Sequence, residues 1–171
     1  MDTPLVILRA VHILAGVYWA GAVFVVVTFL MKAVADAGPA GGQVMGALIK
    51  RRFLDVIPAA ALITVLSGLD LYRRTSGRYG TDWIRSPTGM GLSIGAVTGI
   101  LALLIGAIVG RPNTLQAAAL MTRAATMADG MEKAALITRA GHLRARGTAA
   151  IQGAAVLLLI SVLCMAVSRY L

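Results

Sequence analysis

A single cysteine, Cys164, stands in the whole chain. That count excludes an internal disulfide and any multi-cysteine metal site. Acidic residues are scarce as well, with seven Asp and Glu against 16 Lys and Arg. No paired carboxylates, Ser-His-Asp arrangement, phosphate loop or metalloprotease motif can be assembled, so a soluble-type hydrolase or nucleotide enzyme is set aside. Aromatic residues make up only 5% of the sequence, and none interleaves with a basic face. The net charge of +9 therefore does not point to nucleic acid as a partner. Histidine occurs twice, at His12 and His142.

Long apolar runs are what the chain has in plenty. Of 171 residues 58% are hydrophobic and 13% charged, and mean hydropathy is +0.83. Soluble domains sit near half apolar and a quarter charged, so the composition is that of an integral membrane protein in one domain, 1–171. The 19 glycines read as packing residues, because small side chains let helices approach closely in lipid.

A helix needs about 20 apolar residues to cross roughly 30 Å of hydrocarbon. Four segments qualify, at about 5–31, 53–72, 87–110 and 148–168. The first is read as a retained helix and not a signal peptide, since no basic stretch precedes it and Arg9 interrupts it. In the second, Asp55 is expected to pair with Arg51 or Arg52 one turn away. Gly91, Gly95, Gly99 and Gly106 recur at helical spacing in the third and predict close packing. The fold expected is all-α: a four-helix membrane bundle carrying a helical hairpin extension, about 111–147, between helices three and four on the inner side. Pro112 would mark a kink and Asp129-Gly130 the turn. Leu120, Met127 and Met131 form a spaced apolar stripe there, with packing the expected role and copper binding by Met121, Met127 and Met131 the alternative.

Ten of the 16 cations fall between spans one and two or three and four, and six on the opposite side. The positive-inside rule then turns both termini outward, in a bacterial cytoplasmic (inner) membrane. Tyr72, Tyr79, Trp83 and Tyr170 share that outer side as an aromatic belt. Asp2, Asp70 and Asp82 lie among outer arginines and are expected in solvated ion pairs.

The two histidines fall at opposite membrane faces, which excludes a bis-histidine haem within one chain. His12 is the residue to explain, because an ionisable group in a membrane helix is costly. Arg9, His12, Gly16 and Trp19 lie at i, i+3, i+7 and i+10 on one helical face. That face would admit a planar macrocycle, with Gly16 giving close approach, Trp19 stacking and Arg9 pairing with a propionate. The structural alternative is a histidine hydrogen-bonded to a carbonyl, or to Thr64 or Ser67, of helix two.

The run Arg9-Ala10-Val11-His12-Ile13, with Trp19 and Gly21, resembles the first-helix signature of the HemJ and copper-resistance D superfamily. Gly68 in helix two and Trp83 before helix three extend the likeness weakly along the chain. In the HemJ-type protoporphyrinogen oxidases the matching histidine is implicated in binding haem or porphyrin, so the resemblance implies that role for His12. The chain departs from those enzymes in having no lysine near the start of helix three, where Gly89-Met90-Gly91-Leu92-Ser93 stands, and no Pro-Arg-Leu after the helix-one motif. It is most similar to uncharacterised members, which leaves enzymatic activity open. The function expected is a haem b or porphyrin-binding redox protein with His12 as iron ligand. Met90, as the second iron ligand, or Met165 lies level with it. The alternative is a non-enzymatic accessory subunit of a larger respiratory, photosynthetic or transport complex, with a homo-oligomer also open. Copper handling is a lesser alternative, for which Met90, Met165 and Cys164 offer at most one soft site.

Overall fold

The computed structural model describes residues 3–170, and Asp2 lies outside that range. The elements are α1 (Thr3–Asp36), α2 (Pro39–Lys50), α3 (Phe53–Tyr79), the single turn α4 (Thr81–Ile84), α5 (Pro87–Ala125) and α6 (Met131–Tyr170). Among the described residues no strand occurs. Helices α1, α3, α5 and α6 are each long and apolar enough to cross a membrane.

The side chains are distributed as lipid demands. Large apolar residues point outward, among them Leu14, Val17 and Phe29, where hydrocarbon replaces water as solvent. The core is built instead mostly from small residues, Ala60, Ala61, Ala102 and Ala154, closed by Trp19 and Leu158. Helices pair closely as α1 with α3 and α5 with α6. Of the four expected packing glycines in α5, three hold the second pair together. Gly91 faces Ser168, Gly95 faces Met165, and Gly99 faces Ser161. With no Cβ at Gly95, Ser161 comes near enough to donate its hydroxyl to the Gly95 carbonyl at 2.7 Å. Gly106 is different, since a Cβ there would meet open space.

Two of the long helices contain a π-turn. In α1 the Met31 N–H donates to the Val26 carbonyl, and in α5 the Arg111 N–H donates to that of Gly106. Pro112 explains the second: its ring would collide with the carbonyl four residues back in a regular α-helix, and the wider turn relieves it. Asn113 and Thr114 then bond back to the Val109 and Gly110 carbonyls at 2.7 and 2.9 Å. The π-turn of α1 coincides with four β-branched residues in a row, Val25 to Thr28, a crowded sequence for a regular helix.

Several local features differ from the sequence reading. Residues 39–50 form a helix, opened by Pro39 after a turn at Gly38 (φ +53°) and closed by Lys50. The second long helix reaches Tyr79, beyond the expected 72. Its charged last turns hold together by their own pairs, Asp70 with Arg73 at 2.8 Å and with Arg74 at 2.9 Å. Asp82 is exposed and makes no ion pair among the described residues. Asp55 pairs with Arg111 at 2.6 Å and not with Arg51 or Arg52. Those two arginines precede α3, with Arg52 left-handed (φ +58°), so they do not share its helical register. Met131 is 93% exposed and takes no part in a packed stripe. In the first turn of α6, Lys133 reaches back to Asp129 at 2.7 Å and holds that carboxyl below the usual carboxylate range.

Candidate functional site

His12 sits on the face of α1 that meets α3. Its Nδ1 lies 2.8 Å from the Thr64 carbonyl oxygen and 3.3 Å from Ser67 Oγ. A carbonyl can only accept, so Nδ1 carries the hydrogen and donates it to Thr64. The lone pair of the neutral ring is therefore on Nε2. Ser67 in turn donates its hydroxyl to the Ile63 carbonyl at 2.6 Å. Gly68 supplies the space beneath the ring, because a Cβ there would come 2.7 Å from His12 Cε1. The imidazole is thus fixed in both tilt and tautomer by α3 backbone and a glycine.

The other nitrogen is unengaged. Among the described residues Nε2 has no hydrogen-bond partner, and no buried side-chain nitrogen or oxygen goes unsatisfied. Half-buried His12 therefore presents Nε2 to the molecular surface. Arg9, one turn earlier, is exposed and makes no ion pair among the described residues.

The remaining residues singled out from sequence have other surroundings. Gly16 admits the Thr64 methyl, which would lie 3.3 Å from a Cβ, so the gap on this face is filled by α3. Trp19 lies roughly 10 Å further along α1, only 6% exposed in the core. Met90 is 52% exposed and borders a shallow groove with Gly91, Ile94, Leu163 and Cys164. Met165 packs over Gly95. These two methionines belong to the α5–α6 pair, while His12 belongs to the α1–α3 pair. His142 is exposed on α6. The described residues contain no group of three or more His, Cys, Asp or Glu arranged to hold a metal.

A second feature escaped the sequence reading. Where the two helix pairs lean together, a crevice opens among α1, α3, α5 and α6, with Trp19, Ala61 and Ala102 deep inside and Arg111 at its rim. Val26 and Gly106, the first residues of the two π-turns, line it, and so does Pro58. Pro58 has no N–H to give to the Leu54 carbonyl four residues back. Arg111 Nε fills that vacancy at 3.1 Å while its NH2 group holds Asp55. The sequence signal was present in the proline and in a lone arginine beside Pro112.

The fit to a tetrapyrrole can be judged from these positions. One oriented imidazole with a free Nε2 and a nearby unpaired guanidinium suit a single axial ligand and one propionate. A ring stacked on Trp19 or entering at Gly16 does not fit, because α3 and the core already fill both places. No protein-family model, curated protein or solved structure matches this chain.

Proposed function

We propose that the chain is a multi-pass protein of a bacterial cytoplasmic membrane that binds one haem b or porphyrin at the outer end of α1, where His12 Nε2 would hold the iron and Arg9 would meet a propionate. The hydrogen bond from His12 Nδ1 to the Thr64 carbonyl is the one that the structural alternative also expects; the observation that carries this reading is the oriented, unengaged Nε2 that the bond leaves at the molecular surface. Metal-binding histidines donate their second ring N–H in this way, which fixes the tautomer and raises ligand basicity. The likeness of the Arg9 to Ile13 run to the HemJ and copper-resistance D superfamily supports the same residue. Bound haem b supplies a one-electron couple. Met90 and Met165 lie on the α5–α6 pair, away from the α1–α3 pair that carries His12, and are given no part in holding the group.

Detergent-purified protein supplemented with haem is expected to show a Soret band that shifts with dithionite. A protein with no such band after supplementation would overturn the pigment reading and favour an accessory subunit. Substituting Met90→Leu is expected to leave the spectrum and potential unchanged.

The orientation belongs to the same proposal: both termini outside, with the α5–α6 connection inside. Its cations would lie against anionic headgroups, each worth on the order of 1 kcal/mol. Thr138 is exposed on α6. A Thr138→Cys protein in a Cys164→Ser background should resist impermeant thiol reagents in intact cells and react after lysis. Ready labelling in intact cells would reverse the topology.

A further inference from the structure

The crevice between the helix pairs is independent of the His12 site. From Ala102 to Arg111 its α5 wall runs nine residues, about 13 Å at the rise of an α-helix. One leaflet of a hydrocarbon core is about 15 Å thick, so the crevice is as deep as a leaflet. Its volume is about 90 Å³, smaller than the roughly 150 Å³ apolar cavity that takes one benzene ring. Such a space takes only a few methylenes of a slender chain, the rest of which lies along the open side of the crevice, and a fused ring system does not fit.

The walls are apolar, and the rim is charged with one sign in excess. Lys50, Arg51 and Arg52 run directly into Phe53 and Leu54, which line the crevice. Arg111 and Asp55 form the one ion pair there among the described residues. Arg51 and Arg52 are exposed and have no acidic partner among the described residues. An occupant that is apolar along its length and anionic at its end matches both parts.

The opening is also held in place by the backbone. Both π-turns and Pro58 border it, and π-turns recur in helices at functional sites. At Gly106 the wall has no side chain, and a Cβ would meet nothing within 4 Å.

We propose that this crevice is a binding site for an acyl chain of an anionic phospholipid, whose headgroup lies against Arg51 and Arg52. The chain lies between the α1–α3 and α5–α6 pairs and fills the space that their contact leaves open. Lipid in this place joins the two pairs.

The test uses the full-length protein in phosphatidylcholine vesicles that carry a trace of photoactivatable lipid, with a diazirine on the acyl chain and either a phosphatidylglycerol or a phosphatidylcholine headgroup. Phosphatidylglycerol is expected to label residues of the crevice wall, and to do so more strongly than phosphatidylcholine. Substituting Gly106→Leu puts a side chain into open space and should remove that labelling while the annular, lipid-facing labelling persists. Ala107→Leu, at an exposed position on the same wall, serves if the first variant does not fold. The Arg51→Gln/Arg52→Gln protein should lose the headgroup preference by roughly tenfold or more at low salt, as expected for two surface cations. Crevice labelling that survives both wall substitutions would overturn the site. Equal labelling by the two headgroups in the unaltered protein would overturn the anionic occupant, and labelling confined to the outer helix faces would overturn both.

Discussion

His12→Ala protein is expected to retain no haem through gel filtration, with its helical content unchanged by circular dichroism. In the proposed site the imidazole is the group that would hold the iron, and no second ligand is assigned to compensate for its loss. Gly68→Ala tests the same site from behind. The new Cβ would lie 2.7 Å from His12 Cε1 and 3.1 Å from Nδ1, so the ring must shift from the position in which Nδ1 meets the Thr64 carbonyl. Disturbing the partner that orients a ligating histidine costs about 10–100-fold in affinity, so haem titration should shift by that amount while a Soret band persists at saturation. Ser67→Ala should matter less, because the Ser67 hydroxyl is already donated to Ile63 and the Nδ1 hydrogen stays on Thr64. A His12→Ala protein that keeps its haem with an unaltered spectrum would defeat the site, and a Gly68→Ala protein with unaltered affinity would defeat the positioning argument.

The four apolar helices were legible because hydropathy over about 20 residues is a strong signal. The alternative partners named for His12 were legible for a related reason: two antiparallel spans of known limits bring Thr64 and Ser67 to the depth of His12. What covers the Arg9–His12–Gly16–Trp19 face was not legible. Periodicity defines a face, but a glycine and a tryptophan on it suit a helix as well as a macrocycle. Helix α3 occupies the place where a ring would have stacked.

Other misses share a cause in local rules applied to distant contacts. The partner of Asp55 is 56 residues away, beyond any i+4 argument. Helix α2 is short and contains Gly41 and Gly42, which lower helix propensity by about 1 kcal/mol each. The π-turns leave no trace in hydropathy. At Pro112 the kink was foreseen, but its form, a widened turn patched by Asn113 and Thr114, depends on where the displaced carbonyls can find donors.

Arg111 carries the second large effect. Its guanidinium spans α5 and α3, satisfying a carbonyl that Pro58 leaves without an N–H and pairing with Asp55. Arg111→Ala takes the donor from Leu54 O, in a hydrogen bond open to solvent on one side, and is expected to cost about 0.5–1.5 kcal/mol in a reversible unfolding assay in micelles. The ion-pair share of that cost is small, since the two side chains are 42% and 56% exposed and a pair so wetted is worth roughly 0–1 kcal/mol. The carbonyl share depends on Pro58 and can be isolated. In a Pro58→Ala background residue 58 regains its N–H, Leu54 O has a helical partner again, and Arg111→Ala should cost less than it does alone. Groups in one hydrogen-bond network couple by about 0.5–3 kcal/mol, and the sign here is fixed: the double variant must be more stable than the two single effects added together. Arg111→Lys should recover little of the loss, because an ammonium lacks the planar fork that reaches a carbonyl and a carboxylate at once. Additivity to within about 0.5 kcal/mol would mean that Arg111 contributes only its charge, and that water or a relaxed backbone serves the carbonyl that Pro58 sets free.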